Sequence, residues 1–299
     1  MKKEIVLITG ANGMVARRLS SVLAERYTLR FLTREPLASN EFLWDIDKRY
    51  VAAEALEGVN HLIHLAGVSV AQKRWSRKQK QKICDSRVQS AALLLQCLKE
   101  RGVMLQTFIS ASAVGYYGTQ TTERIFTETD PHGADFLSDV CVQWEQAAEA
   151  FEAVSRRVVI MRLGTVLSGE AGALPQMAAT VRYGFGAALA TGKQYVTWVD
   201  VDDVCRFVQF ALSTDISGAF NVVASEAVTN AELMKAIANA LQQKLWLPNV
   251  PAYIIRCMFG EMAVLLLEGS RVSNEKTKAA GFAFRYESLS EALQKALSK

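Results

Sequence analysis

The sequence predicts an α/β protein: a doubly wound, mostly parallel sheet covered by helices on both faces, with a smaller C-terminal lobe. Three observations carry this. Apolar runs of strand length recur at Ile5–Thr9, Leu29–Thr33, His61–Leu65, Thr107–Ala111, Val158–Arg162 and Gly218–Val222, with helical patterns between most of them; such alternation is what a parallel sheet with helices on each side requires. A glycine turn beginning at residue 10 joins the first run to a helical pattern. Beyond Leu247 the texture changes: Pro248 and Pro251 bracket a break, and short helical segments, Ser273–Ala280 and Ser288–Leu297, flank an aromatic patch at Phe282-Ala283-Phe284-Arg285-Tyr286. The 299 residues, half of them apolar and 21% charged, have a globular composition. We divide them into a nucleotide-binding unit at 1–225, with cleft segments from about 163, and a substrate lobe at 226–299.

The first run, Ile5-Val6-Leu7-Ile8, leads into Thr9-Gly10-Ala11-Asn12-Gly13-Met14-Val15-Ala16 and then a helix over Met14–Glu25. Gly10 lets the backbone turn sharply off the strand, and Gly13 removes a side chain where an anion must approach the helix N-terminus. Together with Asn12, Met14 and Val15 they form the cradle of a dinucleotide pyrophosphate in a Rossmann-like fold; the rival reading is an ordinary βα turn. Ala16 stands at the third glycine position, the mildest replacement there. The next strand ends in Thr33-Arg34 instead of the carboxylate that holds the ribose of NAD. A guanidinium there points to NADP, since an Arg–phosphate contact is worth roughly 1.5–3 kcal/mol; the alternative is a solvated loop arginine.

In an open α/β sheet ligands bind beyond the carboxyl ends of the strands, which nominates Leu65-Ala66-Gly67, Ser112 and Leu163–Val166 as further site residues. Helices are read at Arg77–Arg101, Ser138–Val154, Val201–Leu212 and Asn230–Leu241, the last with Thr229-Asn230 as its N-cap. Lys73 to Arg87 holds seven basic residues against Asp85 alone, so the net charge of +4 is local. Trp75 within that run raises nucleic-acid binding as a reading, but the spacing also suits the exposed start of an amphipathic helix, the reading we adopt. His61 and His64 sit in a buried-strand pattern and His132 stands apart, which argues against a histidine metal centre. The five cysteines, without a CxxC pair, suggest neither a disulfide framework nor zinc and are expected to be reduced and mostly buried. The apolar stretch Met262–Leu267 is too short to cross a bilayer, and no secretory leader is read at the N-terminus, so the cytoplasm is the expected compartment.

These loops together resemble the extended short-chain dehydrogenase/reductases. Leu65-Ala66-Gly67, the stretch from Ser110 to Gly118 and Val201-Asp202-Asp203 follow the glycine turn in that group's order. Lys73-Arg74-Trp75, Asp85-Ser86-Arg87, Trp144-Glu145, Gly192-Lys193-Gln194 and Gly260-Glu261-Met262 are similar to an atypical subgroup named for NAD-dependent nucleotide-sugar epimerases, which carries a C-terminal domain of unknown function. The resemblance implies Ser112 at the catalytic serine position, with Ser110, Val166 and the Gly192–Trp198 loop around the cofactor and substrate. It also implies a structural role for Asp203. Typical members use a tyrosine as acid/base and a lysine four residues later, whereas alignment on Trp144-Glu145 puts Leu137 and Cys141 there. Tyr116 or Tyr117 is then the remaining phenol, with a packing role as its rival. Arg87 replaces the helix asparagine and either faces the cofactor phosphates or a substrate anion, or sits in a structural ion pair. Arg271 either meets a substrate phosphate or caps a helix.

The expectation is an NADP(H)-binding oxidoreductase or epimerase-like protein acting on a carbonyl or alcohol of a small-molecule substrate, phosphorylated or nucleotide-linked, with Ser112 and Tyr117 as catalytic candidates. The alternative is a non-catalytic NADP(H) sensor or scaffold. Oligomeric state is left open by the sequence.

Overall fold

The computed structural model describes residues 3–298. Its main sheet has eight strands in the order β12-β8-β6-β5-β1-β2-β3-β4. These are β1 (Ile5–Thr9), β2 (Thr28–Thr33), β3 (Glu41–Asp45), β4 (Tyr50–Val51), β5 (Val59–His64), β6 (Leu105–Ala113), β8 (Ser155–Leu163) and β12 (Gly218–Val222). Every neighbouring pair is parallel except β3 with β4. Three short pairings lie apart: β7 (Ile125–Phe126) with β14 (Arg271–Val272), β9 (Thr165–Leu167) with β11 (Trp198–Asp200), and β10 (Tyr195–Val196) with β13 (Val228–Thr229).

Side chains of β1 alternate between two cores, as a strand buried on both faces must. Ile5 and Leu7 join Leu94, Leu98, Phe108 and Phe151, beneath α3 (Arg77–Glu100) and α4 (Phe136–Glu149). Val6 and Ile8 join Leu19 of α1 (Met14–Leu23) and Phe207 of α6 (Val201–Ser213) on the other face. Ser76 caps α3 by accepting from Gln79 N–H, and Asp135 caps α4 by accepting from the Leu137 and Ser138 amides. The predicted strands and long helices are all present. Among the elements absent from the sequence reading are β3 and α5 (Ala173–Arg182). β3 is short and charged at both ends, and Pro175 obscures α5, although proline in a first turn removes only an N–H that has no helical partner.

The third core combines Leu167, Leu174 and Trp198 with Leu233 and Ile237 of α7 (Asn230–Ala240) and Leu293 near the C-terminus, so the lobe is assembled from both sides of residue 225. The aromatic patch returns to the main unit, where Phe282 packs edge-to-face on Phe207. Fully buried Asp203 holds this tail, accepting from the Arg285 and Tyr286 amides at 2.8 Å. Of the five free cysteines only Cys141 and Cys205 are buried, which corrects the expectation that most would be. Among the described residues no helix is long and apolar enough to cross a membrane.

Candidate functional site

β1 has β2 on one side and β5 on the other, so the chain leaves the sheet in opposite directions at this point and opens a crevice at the strands' carboxyl ends. A cleft of about 300 Å³ occupies it, lined by Gly10, Asn12, Gly13, Thr33, Arg34 and Gly67, with Leu65 and Ala66 completing the wall. Gly10 has φ +74°, and a Cβ there would lie 3.0 Å from the Leu65 carbonyl carbon and oxygen; only glycine serves both demands. Gly13 begins α1 in extended conformation, and no side chain caps the helix or puts a carboxylate in its first turn. Among the described residues the helix N-terminus is therefore uncapped by any side chain, a geometry that suits an anion. The Met14 side chain turns away to a separate hollow beside Arg18 and Lys295, and Val15 packs toward the core, so neither of these two expected cofactor residues lines the cleft. The Thr33 hydroxyl accepts from the Glu35 amide at 3.3 Å, while exposed Arg34 makes no hydrogen bond or ion pair among the described residues.

The loop that closes this cleft is held by a buried relay. The Thr9 hydroxyl accepts from the Leu65 and Ala66 amides and meets His64 Nδ1 at 2.9 Å, and His64 Nε2 lies 3.0 Å from Ser90 Oγ. With both amides donating to Thr9, its proton goes to Nδ1, which assigns the Nε2–H tautomer and lets Ser90 donate to the Ser86 or Arg87 carbonyl. Burial, the main cause, lowers the His64 pKa to about 4, so the ring is neutral.

A second cavity, of about 360 Å³, adjoins the first on the lobe side. Leu137 and Cys141, one turn apart on α4, both face it. The positions where a tyrosine and lysine were sought thus do lie in the wall, occupied by an isobutyl group and a thiol that burial pushes up to about 12. Gly164, Thr165 and residues 194–197 add to the wall, and Leu265, Leu266 and Ser270 roof it. Val166 points elsewhere, into the core, and the Ser110 hydroxyl is spent on the carbonyl of Ala111; neither reaches the cavity.

Arg87 lies in this wall, 9% exposed. Its Nη1 donates to the Val68 and Ile83 carbonyls at 3.1 and 2.8 Å, and its guanidinium rests 4.7 Å from the Trp144 ring centroid. Among the described residues it has no carboxylate partner, which overturns the ion-pair alternative. It lies against Gly67, where a Cβ would come within 3.1 Å of its Cζ.

Ser112 and Tyr117 belong to a different arrangement. Ser112 Oγ donates to Glu145 Oε1 at 2.6 Å, Glu145 is gripped by Arg162 Nε and Nη2 at 2.9 and 2.8 Å, and Arg162 Nη1 donates to Tyr117 Oη at 2.9 Å. Tyr117 in turn donates to Asn221 Oδ1 at 2.7 Å. The whole chain is buried. Tyr117 is fully enclosed and burial raises its pKa to about 12, so its expected role as a proton donor gives way to packing and hydrogen bonding inside the sheet. The pairing of Glu145 with Arg162 and of Tyr117 with Asn221 escaped sequence reading because the partners lie far apart in the chain. One signal was a charge at the end of Val158–Arg162, where a buried strand rarely tolerates one unpaired.

Arg271 does neither thing expected of it: it pairs with Glu123 at 3.2 Å and lies over the Tyr195 ring. Trp75 is engaged by the protein itself, donating to the Val70 carbonyl and meeting Phe136 edge-to-face.

Comparison with known proteins places this geometry in a lineage. Residues 6–223 match the family described as NAD dependent epimerase/dehydratase, and residues 250–296 match a domain of unknown function, DUF1731. Epimerase family protein Mb2239 of Mycobacterium bovis is 36% identical over 297 residues, covering 98% of this chain and 97% of that protein. The chloroplastic SDR39U1 homolog of Arabidopsis thaliana is 32% identical over 301 residues, covering 97% and 85%. The crystal structure of human SDR39U1 isoform 2 with NADPH superposes with a TM-score of 0.89 at 26% identity, covering 98% of each chain. With a family match spanning both the strand-switch cleft and the sheet that builds it, the chain belongs to the NAD dependent epimerase/dehydratase family.

Proposed function

We propose that this protein binds NADP(H) in the cleft and acts, in the adjoining cavity, on a carbonyl or alcohol of a small molecule. The observation that carries the reading is that the two spaces lie side by side at the strands' carboxyl ends, Gly67 of the cleft against Arg87 of the cavity, with an anion-ready helix N-terminus in one and a largely apolar wall in the other. Gly10, Asn12, Gly13, Leu65, Ala66 and Gly67 would hold the pyrophosphate and flank the ribose, and Arg34, unpaired among the described residues, would take the adenosine 2′-phosphate. The nicotinamide, when bound, supplies or accepts hydride. Human SDR39U1 was solved with NADPH, which agrees with the choice of cofactor. The free thiols suit the reducing cytoplasm.

Arg34→Ala is expected to weaken NADPH roughly ten- to a hundredfold and to leave NADH nearly unchanged. Fluorescence titration with both cofactors checks this; equal losses would remove the NADP preference.

In the enzymatic reading Ser112 polarises the substrate oxygen after its hydroxyl rotates from Glu145 toward the cavity beside Ala113. A second reading, a non-catalytic NADP(H) sensor, is favoured by Leu137 and Cys141 in the wall and by the enclosure of Tyr117. Transfer of tritium from labelled NADPH to a metabolite in a fractionated extract separates them: label moving with the wild type and not with Ser112→Ala means catalysis. No transfer, with NADPH binding confirmed in the same sample, means a sensor.

A further inference from the structure

We infer that the cavity takes an apolar organic acid and that Arg87 holds its carboxylate. This rests on the reading of the cavity as the small-molecule site and names the class of molecule. Arg87 is a buried cation without a counter-charge among the described residues. Such a group is costly to a fold unless something pairs with it. The Trp144 ring gives partial compensation through its π face, and two carbonyls satisfy Nη1. Nε and Nη2 have no hydrogen-bond partner among the described residues. Those two nitrogens form one edge of the guanidinium, the edge that grips a carboxylate with two parallel bonds. The absence of a side chain at Gly67 is what lets the guanidinium lie there.

The rest of the wall selects the body of the ligand. Leu137, Val140, Leu163, Met177, Leu233 and Leu265 supply apolar surface, and among the described lining residues Arg87 is the sole cation and Glu268 the sole carboxylate. A nucleotide diphosphate brings at least two negative charges and a polar body; one guanidinium opposed by a glutamate does not match it. A monoanion with a hydrocarbon body does.

The test is isothermal titration of the full-length protein, with and without saturating NADPH, using octanoate, its neutral analogue octanamide, and UDP-glucose. Octanoate is expected to bind at least about tenfold more tightly than octanamide, the low end for a hydrogen bond to a charged group. Arg87→Gln should abolish that preference while octanamide binding and NADPH binding persist, and Arg87→Lys should retain part of it. Equal binding of octanoate and octanamide by the wild type, or tighter binding of UDP-glucose than of octanoate, would overturn the inference without any variant having to fold. Failure to bind NADPH, read in a separate titration, would instead overturn the cofactor reading, while the octanoate titration in its absence still judges this one.

Discussion

Single residues here carry more consequence than their types suggest. His64 is the clearest: a histidine in a strand is read from sequence as core, but its function as the joint between β1, β5 and α3 appears only when Thr9 and Ser90 are seen at its two nitrogens. Because its folded pKa is lowered to about 4, the unfolded chain binds a proton in the range between about 6.5 and 4 that the folded chain does not. Stability from this residue is full above the ordinary imidazole range and is lost as pH falls toward 4, by about 3 kcal/mol in all. Urea unfolding from pH 7 to 4 should show a shallower decline in His64→Asn than in the wild type; parallel curves would mean that the ring titrates alike in the folded and unfolded chain. The same lesson holds at Arg162, whose bidentate grip on Glu145 makes a charge tolerable where strand patterning alone predicts an apolar side chain. Removing one partner of such a pair costs about 3–5 kcal/mol, since the other is left buried and bare.

At the scale of elements, the strand–turn–helix from Ile5 to Leu23 is where local sequence and tertiary demand coincide. Glycine at residue 10 serves a positive φ, which residue type signals, and also the 3.0 Å approach of Leu65, which it does not. Gly10→Ala is therefore expected to cost more than the roughly 1–2 kcal/mol of a left-handed backbone alone and to abolish NADPH binding, measured by thermal melting and cofactor titration on one preparation. Retained binding would show that Leu65 can yield. The helices were legible because their periodicity and caps are local. The short β3 and the proline-containing α5 were obscured by their own composition, and their place came from neighbours: β3 from pairing with β2, and α5 from packing on α7.

For the whole molecule, the tail is the element that joins the parts. Phe282 and Phe284 enter the core formed by α1 and α6. Asp203 anchors the backbone that follows them at Arg285 and Tyr286, and Lys295 pairs with Asp200 and with Asp202, which also holds Arg18 of α1. The C-terminal segment thus braces the helix whose N-terminus faces the cleft. Unfolding is expected to be a single transition, with tryptophan fluorescence and far-ultraviolet circular dichroism coinciding, and Phe282→Ala should lower the stability of the whole by about 3–5 kcal/mol. Two separated transitions would mean that the tail and the nucleotide-binding unit fold independently.

The sequence by itself determined the sheet, its parallel sense, the glycine turn and the loops that meet at the switch point. Each depends on contacts within one supersecondary unit, and such contacts leave a period or a residue type in the chain. The family resemblance, aligned on Trp144-Glu145, also located Leu137 and Cys141, which the structure places one turn apart on α4. Only the tertiary structure decided the partners. It turned Ser112 toward Glu145, enclosed Tyr117 beneath Arg162, left Arg87 without a carboxylate among the described residues and drew a lobe from both sides of residue 225. Hydrogen bonds and ion pairs between residues tens of positions apart have no periodicity to betray them. Their presence depends on where distant strands end in space, which only the folded sheet determines.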